Sequence, residues 1–125
     1  FIEETFEFIA SFFERSLSQL EQETPGVGTR FRRIDSDHFS ARVYVQDQRT
    51  STCRIWLPKG HMGDIAYHSD DSASDNTYSA ILWVEDDGYS MWFKPGLQMF
   101  STGKERLNTQ ESAEYFWSML IGRLQ

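Results

Sequence analysis

The chain has 125 residues, the size of one domain that buries about two-thirds of its unfolded surface in a single core. Hydrophobic residues make up 39% of it and charged residues 25%, which excludes a disordered segment, and no apolar run approaches the roughly 20 residues of a membrane-spanning helix. The net charge of −7 argues against a general nucleic-acid binder, because such a protein needs a basic surface.

The first segment, residues 1–22, is predicted to be a helix. Its apolar residues recur at three- and four-residue steps, at Phe6, Ile9, Phe13, Leu17 and Leu20. Glutamates lie early in the segment, where the dipole of a helix favours negative charge. The sequence PGVG at residues 25–28 then ends the helix.

From Thr29 onward the hydrophobic period changes to two, which indicates β-strands. Turn sequences such as DSD, QDQ and DDG separate the candidates. The predicted strands are residues 30–35, 39–45, 51–57, 65–69, 78–85 and 89–94. Short connections of this kind join antiparallel neighbours, so we expect a meander.

The last segment, NTQESAEYFWSMLIGRLQ, returns to the helical period. Asn108 is predicted to be the N-cap residue, and Glu111 three positions later completes a capping box. One apolar stripe follows, formed by Ala113, Phe116, Trp117, Leu120, Ile121 and Leu124.

Together these elements predict an α+β fold: a five- or six-stranded antiparallel β-meander with the N- and C-terminal helices packed on one face. Residues 1–125 are predicted to form a single domain. Because the chain starts at Phe1 without a methionine or a signal peptide, we expect it to be excised from a longer protein. The lone Cys53 predicts a small buried side chain and a cytoplasmic location.

Alternation along the strands predicts the two faces of the sheet. The core face carries Phe39, Ala41, Val43, Val45, Cys53, Ile55, Leu57, Tyr78, Ala80, Leu82, Val84, Tyr89, Met91 and Phe93. The opposite face carries Ser40, Arg42, Tyr44, Thr52, Arg54, Trp56, Ser79, Ile81, Trp83, Ser90, Trp92 and Lys94. The second set is aromatic and basic, and an aromatic patch of this size is expected to be covered by something.

The stretch AILWVEDDGYSMWFKP predicts a β-hairpin. A two-residue loop at Asp87 and Gly88 would place Trp83 opposite Trp92 and keep both faces consistent. A three-residue loop with a bulge would instead pair Trp83 with Met91 and mix the faces, so we prefer the first register.

One stretch, KGHMGDIAYHSDD, contains possible metal ligands, which are His61, Asp64, His68, Asp70 and Asp71. Their spacing matches no metal-binding motif with a known mechanism, so we predict neither a metal nor another cofactor. The chain also lacks a nucleophile elbow and a P-loop, and no catalytic residue is identified. A small-molecule enzyme with a site near His61 and His68 stays open as an alternative.

Positive charge is concentrated in residues 30–59, which hold seven basic and three acidic residues. Arginines there can protect an edge strand, and a neighbouring domain can cover the aromatic face. Arginine and aromatic residues are nevertheless the types enriched at binding hot spots. The predicted binding residues are Arg42, Tyr44, Arg54, Trp56, Trp83, Trp92 and Lys94.

These observations predict a non-enzymatic recognition or regulatory module. Its partner would be a protein, a neighbouring domain, a ligand or a second copy of the chain. Neither a membrane nor a nucleic acid is expected as a partner. A structural homo-oligomerisation domain is the alternative that would bury the tryptophan face against its own copy.

Three stretches, RFRRIDSDHFSARVY, NTYSAILWVEDDGYSMWFKP and ESAEYFWSMLIGRLQ, together resemble an accessory domain of bacterial TIR-type signalling and defence proteins. No catalytic motif lies in them. The resemblance therefore implies that any enzymatic activity belongs to a neighbouring domain. It also implies a sensor or assembly role for this chain.

Overall fold

The structure, a computed structural model, describes residues 1–59, 63–72, 77–96 and 106–124. Within these ranges two helices enclose a run of six strands along the chain. The helices are α1 (Ile2–Glu23) and α2 (Thr109–Gly122). The strands are β1 (Val27–Asp35), β2 (His38–Val45), β3 (Thr50–Trp56), β4 (Ile65–His68), β5 (Ala80–Asp86) and β6 (Met91–Pro95).

The strands form one antiparallel sheet in the order β1-β2-β3-β4-β5-β6, so the sheet is a meander without crossovers. Both helices pack on the same face of it, because side chains from α1, α2 and the strands belong to one buried cluster. The predicted α+β fold is confirmed. No helix in the described ranges combines the length and apolar character that crossing a membrane demands.

Helix α1 follows the predicted stripe, with Phe6, Ile9, Phe13 and Leu17 almost fully buried. Each such side chain stabilises the fold by about 1.5–3 kcal/mol. Thr29 attaches the start of the sheet to this helix: its hydroxyl donates to the Leu17 carbonyl at 3.2 Å. The apolar stripe predicted from the sequence is therefore the buried face of α1.

Helix α2 begins with the predicted capping box. The Asn108 side chain accepts a hydrogen bond from the Glu111 backbone N–H at 2.7 Å, and the Glu111 carboxylate accepts from the Asn108 N–H at 3.0 Å. Near its other end, the buried hydroxyl of Ser51 donates to the Leu120 carbonyl at 2.6 Å. These bonds satisfy polar groups that the helix itself leaves unpaired.

The predicted register of the β5–β6 hairpin is wrong. Trp83 lies opposite Lys94, and Glu85 lies opposite Trp92, so the two tryptophans are not a directly opposed pair. The reason is a longer turn: the Asp87 N–H donates to the Ser90 carbonyl at 3.3 Å. The register is displaced by two residues, which leaves both tryptophans on the same face.

Three side chains assigned to the core face are not part of the buried cluster beneath the helices. Tyr78 packs against the small second cluster on the opposite face of the sheet. Tyr89 belongs to the turn and is 98% exposed, and Met91 beside it is 47% exposed. Both corrections at the hairpin follow from the longer turn, because the strand β6 begins only at Met91.

Candidate functional site

The face of the sheet opposite the helices is called the outer face below. On its first three strands it carries four arginines, Arg30, Arg32, Arg42 and Arg54, which we call the arginine band. Arg30 lies opposite Arg42, which in turn lies opposite Thr52 on β3. Ser40 lies between the other two, because its register partners are Arg32 on β1 and Arg54 on β3. The arginines therefore form two rows across the strands β1 to β3. One row contains Arg30 and Arg42, and the other contains Arg32 and Arg54.

Two members of the arginine band have no ionic partner in the described part of the chain. Arg30 and Arg32 are exposed, and no described residue hydrogen-bonds or forms an ion pair with either guanidinium. The edge of the sheet at β1 therefore presents two cations to solvent. Guanidinium groups bind carboxylates through two parallel hydrogen bonds, so this pair can hold an acidic side chain.

Arg42 is already engaged within the chain. Its Nε donates to the carboxylate of Asp71, and its Nη1 lies 3.5 Å from the hydroxyl of Tyr44. The hydrogen bond to Asp71 is the main cause that raises the pKa of Arg42 above its ordinary value. Tyr44 itself is 38% exposed, so it adds an aromatic surface at this end of the band.

Arg54 lies over the ring of Trp56, with its guanidinium carbon 4.8 Å from the ring centroid. Burial is the first cause that lowers the pKa of Arg54, although the charge of Asp35 opposes this shift. Trp56 was expected on an exposed surface, and that expectation is wrong, since only 1% of it is exposed. In this conformation Arg54 covers the tryptophan rather than sharing an open patch with it.

Trp56 is buried because the outer face has a small core of its own. Trp56 pairs with Ala66, and Ala66 pairs with Ile81 on the next strand, so three apolar side chains form one row. Gly63 reaches this row from the β3–β4 connection: a Cβ on it would lie 2.1 Å from Cγ1 of Ile81. Its φ of +132° is also a conformation that favours glycine.

The remaining predicted residues lie on the other side of this small core. Trp83 is 39% exposed on β5, and Trp92 on β6 is half-buried beneath Arg106, whose guanidinium carbon is 4.1 Å from the ring. Lys94 is exposed, with its Nζ 3.9 Å from the Glu85 carboxylate. From β2 to β5 there are three strand spacings, or about 14 Å.

The seven predicted binding residues therefore form two regions and not one patch. The structure brings Arg42, Tyr44 and Arg54 together with Arg30 and Arg32, which were not among the predicted residues. The signal that could have found the last two is the short DSD turn after β1. It fixes the β1–β2 register and hence the face on which alternate β1 residues lie.

The possible metal ligands have separate structural roles where they are described. Asp64 accepts a hydrogen bond from the Val84 N–H at 2.7 Å, Asp71 binds Arg42, and His68 Nδ1 accepts from the Asp70 N–H at 2.9 Å. The described ranges contain no group of three acidic, histidine or cysteine side chains that could hold an ion. His61 lies outside the described residues.

Cys53 is fully buried beneath the helices, as expected from its setting. Burial is the main cause that raises the pKa of its thiol. A thiol that stays protonated is a poor nucleophile. Cys53 therefore contributes packing to the core.

Comparisons with known proteins identify relatives of this chain. A family model described as the Y4lF protein domain matches residues 28–122, from the start of β1 to the end of α2. The chain is also similar to "Uncharacterized protein y4lF" of Sinorhizobium fredii, at 34% identity over 129 residues. That alignment covers all of this chain and 40% of the relative, so the chain spans less than half of the relative's length. No solved structure matches significantly.

Proposed function

This chain belongs to the Y4lF domain family, and on that premise we propose that it is a non-enzymatic recognition module that binds an acidic protein segment through the arginine band. The observation that carries the proposal is the cross-strand pair Arg30 and Arg42, next to the row of Arg32 and Arg54. Four cations collect here in a chain whose net charge is −7.

Cations on the edge strand β1 can discourage edge-to-edge pairing, but the stability of the fold gains little from this arrangement. Like charges directly opposite each other on neighbouring strands destabilise a sheet. Asp71 compensates Arg42, but no described acidic side chain pairs with Arg30 or Arg32. A carboxylate supplied by a partner would relieve this repulsion, so binding and stability would be coupled.

An acidic polypeptide fits the arginine band better than a nucleic acid does. Nucleic-acid binding draws its affinity from many phosphate contacts and the release of their counterions. This band is short, and seven acidic residues with no basic one follow it in residues 60–92. The negative charge of residues 60–92 repels a long polyanion, whereas a few carboxylates can still bind the arginines on β1 to β3.

A wider role for the module is proposed from the length of its relative. The relative of Sinorhizobium fredii extends well beyond the region that this chain matches. In a longer protein the module would hold an acidic partner beside other domains. This is the sensor or assembly role, in bacterial signalling or defence, that the resemblance to TIR-type accessory domains implies, and it stays a prediction.

The proposal is tested by fluorescence anisotropy with a labelled hexaglutamate peptide at low salt. The double variant Arg30→Glu/Arg32→Glu removes two exposed cations without breaking a described hydrogen bond or ion pair. We expect it to weaken peptide binding by about tenfold or more, equivalent to about 1.4 kcal/mol.

The matched control is Arg15→Glu/Lys59→Glu, which changes the net charge equally at exposed positions outside the band and breaks no described ion pair. Equal losses in the two double variants would contradict a specific site. Tighter binding of a single-stranded oligonucleotide than of hexaglutamate to the wild-type chain would contradict the choice of an acidic polypeptide.

A further inference from the structure

The β5–β6 hairpin continues beyond its neighbour β4. The last ladder pair between β4 and β5 joins Ile65 to Leu82, and the Asp64 carboxylate then takes the Val84 N–H at 2.7 Å. From that point residues 85–91 are all exposed. We call these seven residues the hairpin arm.

The turn of the arm is held by its own side chains. The Asp87 carboxylate accepts hydrogen bonds from the N–H groups of Tyr89 and Ser90, both at 2.9 Å. Asp86 accepts from the Gly88 N–H at 3.1 Å, and Gly88 has a φ of +89°. The fully exposed Tyr89 is therefore presented on a turn that is already ordered, which lowers the entropy cost of binding through it.

The arm combines this aromatic side chain with negative charge. Glu85 lies near Lys94, while the described partners of Asp86 and Asp87 are groups of the turn itself, namely its backbone N–H groups and, for Asp87, the Ser90 hydroxyl at 3.5 Å. Met91 adds an apolar surface that is 47% exposed. An acidic surface with an exposed tyrosine is the complement of arginines flanked by Tyr44.

We propose that the hairpin arm of one copy binds the arginine band of a second copy, so that the chains associate head to tail. This inference rests on the proposed function of the arginine band and names its partner. The two exposed arginines on β1 and the start of β6 lie at opposite edges of the sheet, five strand spacings or about 24 Å apart. One copy therefore cannot join its own arm to its own band, and the contact is heterologous.

The acidic surface of α1 is a weaker candidate for the same role. Its exposed glutamates include Glu3, Glu4 and Glu14, but no large hydrophobic side chain of α1 is among the exposed ones. Tyrosine and arginine are the residue types that dominate the energy of protein contacts, and the arm supplies the tyrosine.

The test is analytical ultracentrifugation from low micromolar to submillimolar concentration at low salt. The arm variant is Asp86→Lys/Tyr89→Ala, and the band variant is Arg30→Glu/Arg32→Glu. We expect the wild-type chain to form species that grow with concentration. Each variant alone should stay monomeric, and an equimolar mixture should stop at two chains, because one intact arm meets one intact band.

The charge control Arg15→Glu/Lys59→Glu should associate like the wild-type chain. Because Asp86 accepts a bond within the turn, Tyr89→Ala alone serves as a second arm variant that touches no described packing, and it should also lower association. A monomeric wild-type chain, or a mixture that stays monomeric while the wild type associates, would overturn the head-to-tail contact. Hexaglutamate binding, measured separately, decides whether the arginine band itself binds carboxylates.

Discussion

Arg30 on β1 and Arg42 on β2 lie directly opposite each other across the first strand pair, and both belong to the outer face of the sheet. One member, Arg42, is compensated by Asp71, and the other is not compensated by any described residue. Substitutions at this pair can therefore measure two properties separately: the stability of the sheet and its affinity for carboxylates.

The first prediction concerns stability. Arg30→Thr should raise the free energy of unfolding by about 0.2–1 kcal/mol at low salt, because it removes a like-charge cross-strand pair. Arg32→Thr is the matched control: it places the same residue on the same strand, but its register partner is the neutral Ser40. Urea unfolding of both variants at low and high salt provides the measurement. A gain that is equal in the two variants would reflect strand propensity and not repulsion.

The second prediction concerns binding and ranks three single substitutions. Arg42→Ala and Arg54→Ala should each weaken hexaglutamate binding more than Arg49→Ala does. Arg49 lies in the β2–β3 turn and is held by Asp47 at 2.7 Å, whereas the other two lie within the arginine band. Anisotropy titrations at one salt concentration compare them. Equal effects of all three would show that the peptide responds only to net charge.

The third prediction follows from the burial of Trp56. Trp56→Ala should lower the free energy of unfolding by about 3–5 kcal/mol, because it empties the centre of the small core on the outer face. Trp83→Ala should cost clearly less, since that ring is 39% exposed. Tyr89→Ala should stay within about 0.5 kcal/mol of the wild type. Urea unfolding gives all three values, and a Trp56→Ala variant as stable as Tyr89→Ala would contradict the burial.

Much of the fold could be read from the sequence because its signals are local. The three- and four-residue steps from Phe6 to Leu17 identified α1, and the change to period two identified the strands. Asn108 and Glu111 marked the start of α2 through a capping box that the structure contains. Each of these features depends on residues that are neighbours in the sequence.

The register of the β5–β6 hairpin could not be read in this way. Turns of two and four residues differ by two positions in register, and a shift of two leaves every side chain on the same face. Alternation was therefore satisfied equally by the pair Trp83–Trp92 and by the observed pair Trp83–Lys94. The longer turn is held by hydrogen bonds that the N–H groups of Tyr89 and Ser90 donate to the Asp87 carboxylate, and this turn sets the observed register.

The candidate site was predicted in part for a related reason. Alternation placed Trp56 on the outer face correctly, but a face says nothing about what covers it. The cover depends on Arg54, which lies over the ring, and on the neighbours Ala66 and Ile81 in the small core. Placing Arg30 and Arg32 beside Arg42 and Arg54 required the β1–β2 register, which the DSD turn sets and alternation along one strand does not give.

The fourth prediction concerns the start of α2. Asn108→Ala should lower the free energy of unfolding by about 0.5–2 kcal/mol, because it leaves the Glu111 N–H without its cap. Asn108→Asp is the conservative control and should keep most of the stability, since a carboxylate accepts the same bond. Thermal and urea unfolding measure both variants. Equal losses in the two variants would show that the cap contributes little.

The last prediction concerns the pH dependence of the hairpin arm. The N–H groups of Ser90 and Tyr89 donate to the Asp87 carboxylate, and these bonds hold its pKa below the ordinary value of 3.8. A group whose pKa is lowered in the folded state stabilises that state fully above its ordinary pKa, and the contribution is lost as the pH falls through the folded value. The turn should therefore stay ordered at neutral pH and loosen only below pH 3.8.

The amide chemical shifts of Tyr89 and Ser90, followed by NMR from neutral to acidic pH, measure this transition directly. In Asp87→Asn the side-chain oxygen still accepts a bond but carries no charge, so the transition at these two amides should disappear. A midpoint above 3.8 in the wild-type chain, or the same midpoint in Asp87→Asn, would show that Asp87 does not hold the turn that presents Tyr89.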